Sequence, residues 1–361
     1  MKIKHCLFLL LAVSLMSCSY VGKDVTDPYS FDIKVPSYYK NLLAEKEELA
    51  NKRAAMIEED LSEFIFFTDA HWDFNYRHSP ELIEHIMLHT GIKDVLYGGD
   101  VINNHMDSIE KAMEIGLTFQ KAFSFIGGNF YCAYGNHDNN LQNQKKLTDL
   151  RLSDEQIYSY LQSQMEGVVY DGYFNFYFDR PECHTRFIFL DTGRYYYKEE
   201  RGTIHLTMDA LVRLLDNTPK GYHIVVVSHE WGSYVQPSGW SISTHLSKFL
   251  DVLDDYNAAR AGAVKYSSNT VEYDFTERQG KIEYCIGGHF HRDFVGSSKA
   301  GIPVVMINTD SRRTPDNEPA VKKTISEQSV SIMVADYDEH KLYIYRVGRG
   351  EDQIVALPDT Y

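Results

Sequence analysis

The chain has 361 residues, 43% hydrophobic and 24% charged, an ordinary globular mixture with enough length for one large domain or two smaller ones. Its formal net charge of -15 becomes -17 once Lys2 and Lys4 leave with residues 1–17. A surface of that sign repels nucleic acid and anionic lipid at long range, so no nucleic-acid binding is expected.

Lys2, Lys4 and His5 precede the apolar run Leu7–Val13, which is too short to cross a bilayer as a helix. Leu15-Met16-Ser17-Cys18 follows and resembles a bacterial lipobox, which implies cleavage before Cys18 and lipidation of that residue. The expectation is an exported protein, lipid-anchored in the bacterial cell envelope on its periplasmic face or the cell surface. Residues 1–17 are then a lipoprotein signal peptide and residues 18–37 a polar tether, with the membrane touched through the anchor only. Cys132, Cys183 and Cys285 are too few and too scattered for a disulfide framework, and no CxxC offers a zinc site. Cys132 and Cys285 sit in apolar runs and read as small buried hydrophobes.

A helix is expected over 38–61 from the apolar positions Leu42, Leu43, Leu49, Met56, Ile57 and Leu61, with Glu48 and Lys52 paired at i,i+4. From residue 64 short apolar runs read as buried strands: Phe64–Thr68, Val95–Tyr97, Phe130–Tyr134, Phe187–Leu190, Ile224–Ser228 and Tyr284–Ile286. Helices are expected between them at Ser79–Thr90, with Ser79 as N-cap and Pro80 at the first helical position, and at 107–126, 154–165, 207–217 and 242–260. Such alternation argues for an α/β fold. The C-terminal third turns to strands at Val304–Ile307, Val330–Ala335 and Leu342–Val347, the last two around Asp338-Glu339-His340.

Five polar clusters fall where a strand runs out, the place where open α/β sheets bind ligands. They are Asp69-Ala70-His71, Gly98-Gly99-Asp100, Gly135-Asn136-His137-Asp138, Ser228-His229 and Gly287-Gly288-His289-Phe290-His291. Together they offer carboxylate and amide oxygens and imidazole nitrogens, the mixture that divalent first-row metals prefer. In extended backbone, residues i and i+2 point the same way, so Asp69 with His71, and His289 with His291, can converge. Glycines ahead of Asp100, Asn136 and His289 let the backbone turn sharply.

In this order the five clusters resemble the calcineurin-like metallophosphoesterases, over about Phe64 to Phe294. Phe189-Leu190-Asp191-Thr192 and Gly348-Arg349-Gly350-Glu351-Asp352 resemble them less specifically. The resemblance implies an α/β sandwich of two mixed β-sheets flanked by helices, formed by residues 38–361 with a C-terminal β-rich extension. It implies two divalent metal ions (Mn, Fe, Zn or similar): Asp69, His71 and His291 on one, Asn136, His229 and His289 on the other, Asp100 bridging both. His137 would face the substrate. The implied reaction is hydrolysis of a phosphate ester, mono- or diester, by a hydroxide activated between the two metals. Asp100 and His137 carry the catalytic roles, His137 stabilising charge or protonating the leaving group.

The departures narrow this. Where purple acid phosphatases have a tyrosine three residues after the bridging Asp, this chain has Asn103, so no tyrosinate–iron colour is expected. Where Ser/Thr protein phosphatases carry Asp-Arg after the GD motif, Val101-Ile102-Asn103-Asn104 stands, which argues against protein dephosphorylation. The same dinuclear site could also run a cell-envelope pyrophosphate hydrolase. A non-catalytic metal- or phosphate-binding surface lipoprotein would be signalled by loss of Asp100, Asn136 or His137, and all are present. Asp73 could orient a ligating His or be a solvated surface group. Tyr195-Tyr196-Tyr197, Trp231 and Trp240 lie in loops near the expected active face and either line a substrate pocket or pack. No P-loop, nucleophile elbow or dinucleotide fingerprint occurs.

Overall fold

In the computed structural model the residues described are 35–141, 150–172, 174–196, 202–232, 246–266, 269–315 and 318–359. The lipobox with Cys18, most of the tether, Tyr197 and Trp240 lie outside them, as do the side chains of Tyr195 and Tyr196. No helix among the described residues is long and apolar enough to cross a membrane.

The described residues open with α1 (Lys40–Ala54), β1 (Leu61–Phe67), α2 (Ser79–Thr90), β2 (Val95–Tyr97), α3 (Ile109–Ala122) and β3 (Phe130–Cys132). Then come α4 (Asp154–Leu161), β4 (Val169–Tyr170), β5 (Phe176–Arg180), β6 (Thr185–Leu190), α5 (Ile204–Asp216), β7 (His223–Ser228) and α6 (Ser247–Asn257). The hairpin β8 (Ala261–Tyr266) and β9 (Asn269–Asp274) leads into β10 (Lys281–Gly287), β11 (Phe294–Ser297) and β12 (Pro303–Met306). The chain ends on β13 (Ser329–Asp336), β14 (Lys341–Gly348) and β15 (Gln353–Ala356).

Two large sheets result, ordered β15-β14-β13-β1-β2-β3 and β11-β12-β10-β7-β6-β5-β4. β1, β2 and β3 run parallel, as do β6, β7, β10 and β12, while β13 lies antiparallel to β1. The C-terminal strands thus pair directly onto β1 and make up half of the first sheet. The two sheets flanked by helices match the expected α/β sandwich.

Strand alternation explains the layers. Phe64 and Phe66 of β1 turn inward to meet Phe187, Phe189, Val225, Val227, Tyr284 and Ile286 of the second sheet, forming the core between the sheets. Phe67 turns outward into a ring cluster with Tyr97, Phe119, Phe123 and Phe130 under α3. The outer face of the second sheet is covered by α5, α6 and the β8–β9 hairpin. With helices on both outer faces the strands are buried on both sides, which is why they read as continuous apolar runs.

Several expected boundaries move. The first helix ends at Ala54, and Leu61 opens β1 opposite Asp336, a pairing with a strand some 275 residues away that local periodicity cannot announce. Ser79 is the first helical residue of α2, not its cap; His78 precedes it and offers no capping hydrogen bond, and the Ser79 hydroxyl donates instead to Asp310. The 107–126 helix stops at Ala122, with Ser108 as its true N-cap, and a 3₁₀ segment bent at Gly127 follows. β3 ends at Cys132 because Ala133 onward belongs to the site loop. Of the strands that composition did not announce, β4, β11 and β15 lie at sheet edges and β8 and β9 form the separate hairpin, where side chains need not be apolar, while β5 lies between β6 and β4 and ends on the charged residues Asp179 and Arg180. Cys132, Cys183 and Cys285 are free and buried.

Candidate metal centre

The five clusters meet where the carboxyl ends of β1, β2 and β3 face those of β7 and β10. The site is braced from backbone outward. Asp69 N donates to Gly99 O (2.9 Å), His71 N to Asp100 O (3.1 Å), and Gly288 N to His229 O (3.1 Å), so neighbouring loops are stitched pairwise. His289 N donates to Asp69 Oδ2 at 2.9 Å, linking the two sheets through a carboxylate. Asp69, His71, Asp100, His289 and His291 all adopt left-handed backbone, φ between 37° and 70°. That conformation is uncommon outside glycine and persists only where surroundings impose it, a recurrent mark of functional sites. Two glycines are dictated by space: a Cβ on Gly135 would lie 2.2 Å from Asp100 N, and one on Gly288 would lie 2.2 Å from Asp69 Oδ2.

Asp138 organises the bridge loop. Its Oδ2 accepts from Gly135 N (2.8 Å) and Asp100 N (3.0 Å), and its Oδ1 from Val101 N (2.8 Å) and Ile102 N (3.4 Å). A second brace comes from the loop after β12: Thr309 Oγ1 donates to Asp69 O (2.8 Å), and Arg349 holds that loop through Thr309 O and Ser311 O. The Gly348-Arg349 stretch therefore acts through the backbone that carries Asp69. Asp138 stood in a quoted motif without a role of its own; Thr309 and Arg349 had no local signal connecting them to Asp69.

The imidazole tautomers are set by backbone. His71 Nδ1 faces Ile102 O (3.2 Å), His229 Nδ1 faces Gly98 O (2.8 Å), and His291 Nδ1 faces Arg313 O (2.6 Å). A carbonyl accepts only, so each Nδ1 carries the proton and each Nε2 presents a lone pair to the centre. Those lone pairs meet other acceptors. His71 Nε2 lies 3.1 Å from His291 Nε2, and His229 Nε2 lies 3.0 Å from Asn136 Oδ1 and 3.2 Å from Asp100 Oδ2. His289 Nδ1 comes within 2.8 Å of the same Asn136 Oδ1, and His291 Nε2 within 3.2 Å of Asp69 Oδ1. Acceptors facing acceptors in a buried site need a cation between them, so the donor set fits divalent metal. Two overlapping groups, Asp69/His71/His291 and Asp69/Asp100/His229, each bring their ligand atoms within 4.8 Å, and His137 comes equally close to His71 and Asp100.

His137 differs. Its Nδ1 accepts from Asn104 N (3.2 Å), which leaves the proton on Nε2, 3.8 Å from Asp100 Oδ2. A protonated nitrogen is a donor, not a ligand. The electrostatics agree with a cation site. Burial, with His291 and Arg313 adding to it, pulls His71 down to about 4 against the carboxylates Asp100 and Asp69. Burial and the neighbouring His229 bring His289 down to about 3. His229 goes the other way: against burial, Asp100 and Asp69 push it up to about 10, the carboxylates drawing a proton where no metal is present.

Asp73 does not orient a ligating histidine: its Oδ1 accepts from Asn103 N at 3.3 Å, and backbone carbonyls hold the imidazoles instead. Trp231 is a core residue, 1% exposed, donating from Nε1 to Ile286 O. Asp191 of the Phe189–Thr192 stretch is buried and pairs with Arg194 (2.7 Å).

A sequence profile described as calcineurin-like phosphoesterase matches residues 62–293. The chain belongs to that family. Phosphoesterases of this kind share the fold seen here, and the structure superposes on a dimetal phosphatase from Danio rerio with a TM-score of 0.55 at 13% identity. That likeness covers 82% of this chain and 99% of the other. A second solved structure aligns over 80% of this chain at 10% identity with a TM-score of 0.41. No curated protein matches the sequence.

Proposed function

We propose that this phosphoesterase hydrolyses phosphate mono- or diesters with two divalent cations, on an exported chain anchored by lipid at Cys18. The observation that carries the reading is the set of acceptor–acceptor contacts around Asp100, with three imidazole Nε2 lone pairs turned inward by backbone carbonyls. Asp69, His71 and His291 would hold one ion, Asn136, His229 and His289 the other, and Asp100 both. Two such ions, when bound, lower the pKa of a shared water and clamp phosphoryl oxygens for in-line attack.

The chain's own contributions follow from the geometry. Asp100, whose loop is fixed by the backbone donors that Asp138 collects, would balance the charge of both cations. His137 Nε2–H projects beside Asp100 as a neutral donor, placed to hold charge on the substrate or to give its proton to a departing alkoxide. Burial of the ligands keeps competing water away from the carboxylates, which strengthens every charge interaction in the site. The test is a panel of phosphate mono- and diesters assayed on metal-stripped protein before and after Mn²⁺, Fe²⁺ or Zn²⁺ is restored. Turnover that depends on two equivalents of metal is expected; saturation at one equivalent, or no turnover on any ester, would overturn the reading.

A further inference from the structure

A second cluster of metal-ligating atoms lies away from the catalytic face, between α1 and α2, two of the helices that cover the first sheet. His85 and His89 sit one turn apart on α2, and Glu47 reaches them from α1. Glu47 Oε1 is 2.7 Å from His85 Nδ1, Oε2 is 3.6 Å from His89 Nδ1, and the two Nδ1 atoms are 2.9 Å apart. All three ligand atoms fall within 4.8 Å of one another. The Glu47 side chain is 7% exposed, those of His85 and His89 20% and 33%, so the site is closed toward the sheet and open toward solvent.

Protons satisfy this arrangement poorly. His85 Nδ1 needs a hydrogen to reach Glu47, and His89 Nδ1 needs one to reach its other neighbour, the His85 carbonyl oxygen at 2.9 Å. Two N–H groups would then stand on nitrogens only 2.9 Å apart, neither able to accept from the other. Removing the His89 hydrogen relieves that contact but turns its lone pair toward the His85 carbonyl. A cation in place of the protons accepts both nitrogen lone pairs and the carboxylate at once. Two imidazoles at i,i+4 on one helix face with a carboxylate from a neighbouring helix are a donor set suited to Zn²⁺, Ni²⁺, Co²⁺ or Cu²⁺. Metal–nitrogen bonds of about 2.05 Å to nitrogens 2.9 Å apart subtend about 90°, the angle of octahedral or tetragonal coordination; a tetrahedral ion would open the pair by a few tenths of an ångström.

We propose that Glu47, His85 and His89 form a separate divalent-metal site that clips α1 to α2, with solvent completing the coordination. α1 is the first α-helix of the described residues, and it packs on β13, β14 and α2. A metal joining α1 to α2 would bind the folded protein and not the unfolded chain, so it stabilises by mass action.

The experiment uses the full, tag-free chain, its His85→Gln/His89→Gln double variant and Glu47→Gln, with Zn²⁺ and Co²⁺ as probes. At saturation the wild type is expected to hold one more equivalent of Zn²⁺ than the double variant. Zn²⁺ should raise its thermal midpoint further, and Co²⁺ should give a visible absorption component that the variant lacks. Turnover on nitrophenyl phosphate should be unchanged by the double substitution, since neither histidine belongs to the catalytic centre. Glu47→Gln keeps both imidazoles and guards against a folding defect in the double variant; it should bind the extra equivalent more weakly. Equal stoichiometry and equal midpoint rises across all three proteins overturn the proposal. The stoichiometric difference is read independently of turnover, so failure of the catalytic reading and failure of this one are distinct results.

Discussion

Replacing Asp138 with Asn asks whether the carboxylate that gathers backbone donors is what keeps Asp100 in place. Its Oδ2 takes Gly135 N and Asp100 N at 2.8 and 3.0 Å, and its Oδ1 takes Val101 N and Ile102 N at 2.8 and 3.4 Å. An amide keeps the shape and turns one end from acceptor to donor. Whichever end carries the NH₂ group, two backbone N–H groups lose their acceptor. The cheaper orientation gives up the Val101 and Ile102 pair, because the longer contact there is already weak. A buried donor left unpaired costs about 1–3 kcal/mol, so one full loss and one partial loss predict about 2–4 kcal/mol. Asp100 sits at φ 63° and stays there only under constraint from its surroundings, so loosening this loop should also weaken metal binding, by about 10–100-fold. Urea unfolding of the metal-free protein measures the first quantity and titration with Zn²⁺ the second. A stability change below about 0.5 kcal/mol, the range of an inert surface substitution, together with unaltered metal affinity would refute the argument.

Two further expectations rest on the structure and a third on the sequence. His137→Ala should keep metal content and lose turnover by about 10²–10⁴-fold; the loss should be smaller on a nitrophenyl ester than on an alkyl ester if Nε2–H protonates the leaving group, equal if it holds charge on phosphorus, and metal loss in this variant would show that it is a ligand. Burial raises Asp310 to about 6, opposed by its hydrogen bonds from Ser79, Ser329 and Gln328. Because the folded pKa is raised above the ordinary carboxylate value, this group's stabilising contribution is full below about pH 4 and is lost as pH rises through about 6, on the order of 3 kcal/mol. In metal-free protein the stability of wild type relative to Asp310→Asn should fall by that order from pH 4 to 7, and a flat difference would refute it. Cys18→Ser should abolish lipid labelling and move the protein from membrane to soluble fractions; a wild type already soluble in its host would exclude the anchor.

How much of this was legible in the sequence depends on whether the cause was local. Each strand that carries a motif could be read from its apolar run, and the motif placed the chemistry at its end: Asp69 after β1, Asp100 after β2, Asn136 after β3, His229 at β7 and His289 after β10. A sheet buried on both faces makes those runs conspicuous. The edge strands had no such run, since β4 is exposed and β9 alternates with polar residues. Ser79 shows the same limit at one residue. Its place before Pro80 had every local mark of a cap, but the helix starts under tertiary control: Asp310 and Gln328, both distant in sequence, claim the hydroxyl.

The site itself divides along the same line. The proposed ligands sit in short motifs, but the state of each imidazole is decided by a group elsewhere in the chain, for His71, His291 and His137 one that no motif contains. His71 is turned inward by Ile102 O and His291 by Arg313 O, while His137 is turned the other way round by Asn104 N. A histidine offered a carbonyl at Nδ1 becomes a metal donor at Nε2; one offered an N–H becomes a proton donor there. In the mechanism proposed above, the difference between holding the metal and serving the substrate would be a single backbone hydrogen bond on the far side of the ring. Asn104 stands in the segment Val101–Asn104 that follows the GD motif. That segment supplies the backbone groups that fix both kinds of histidine, Ile102 O for His71 and Asn104 N for His137. Its main chain, not its side chains, therefore sets the two imidazole states.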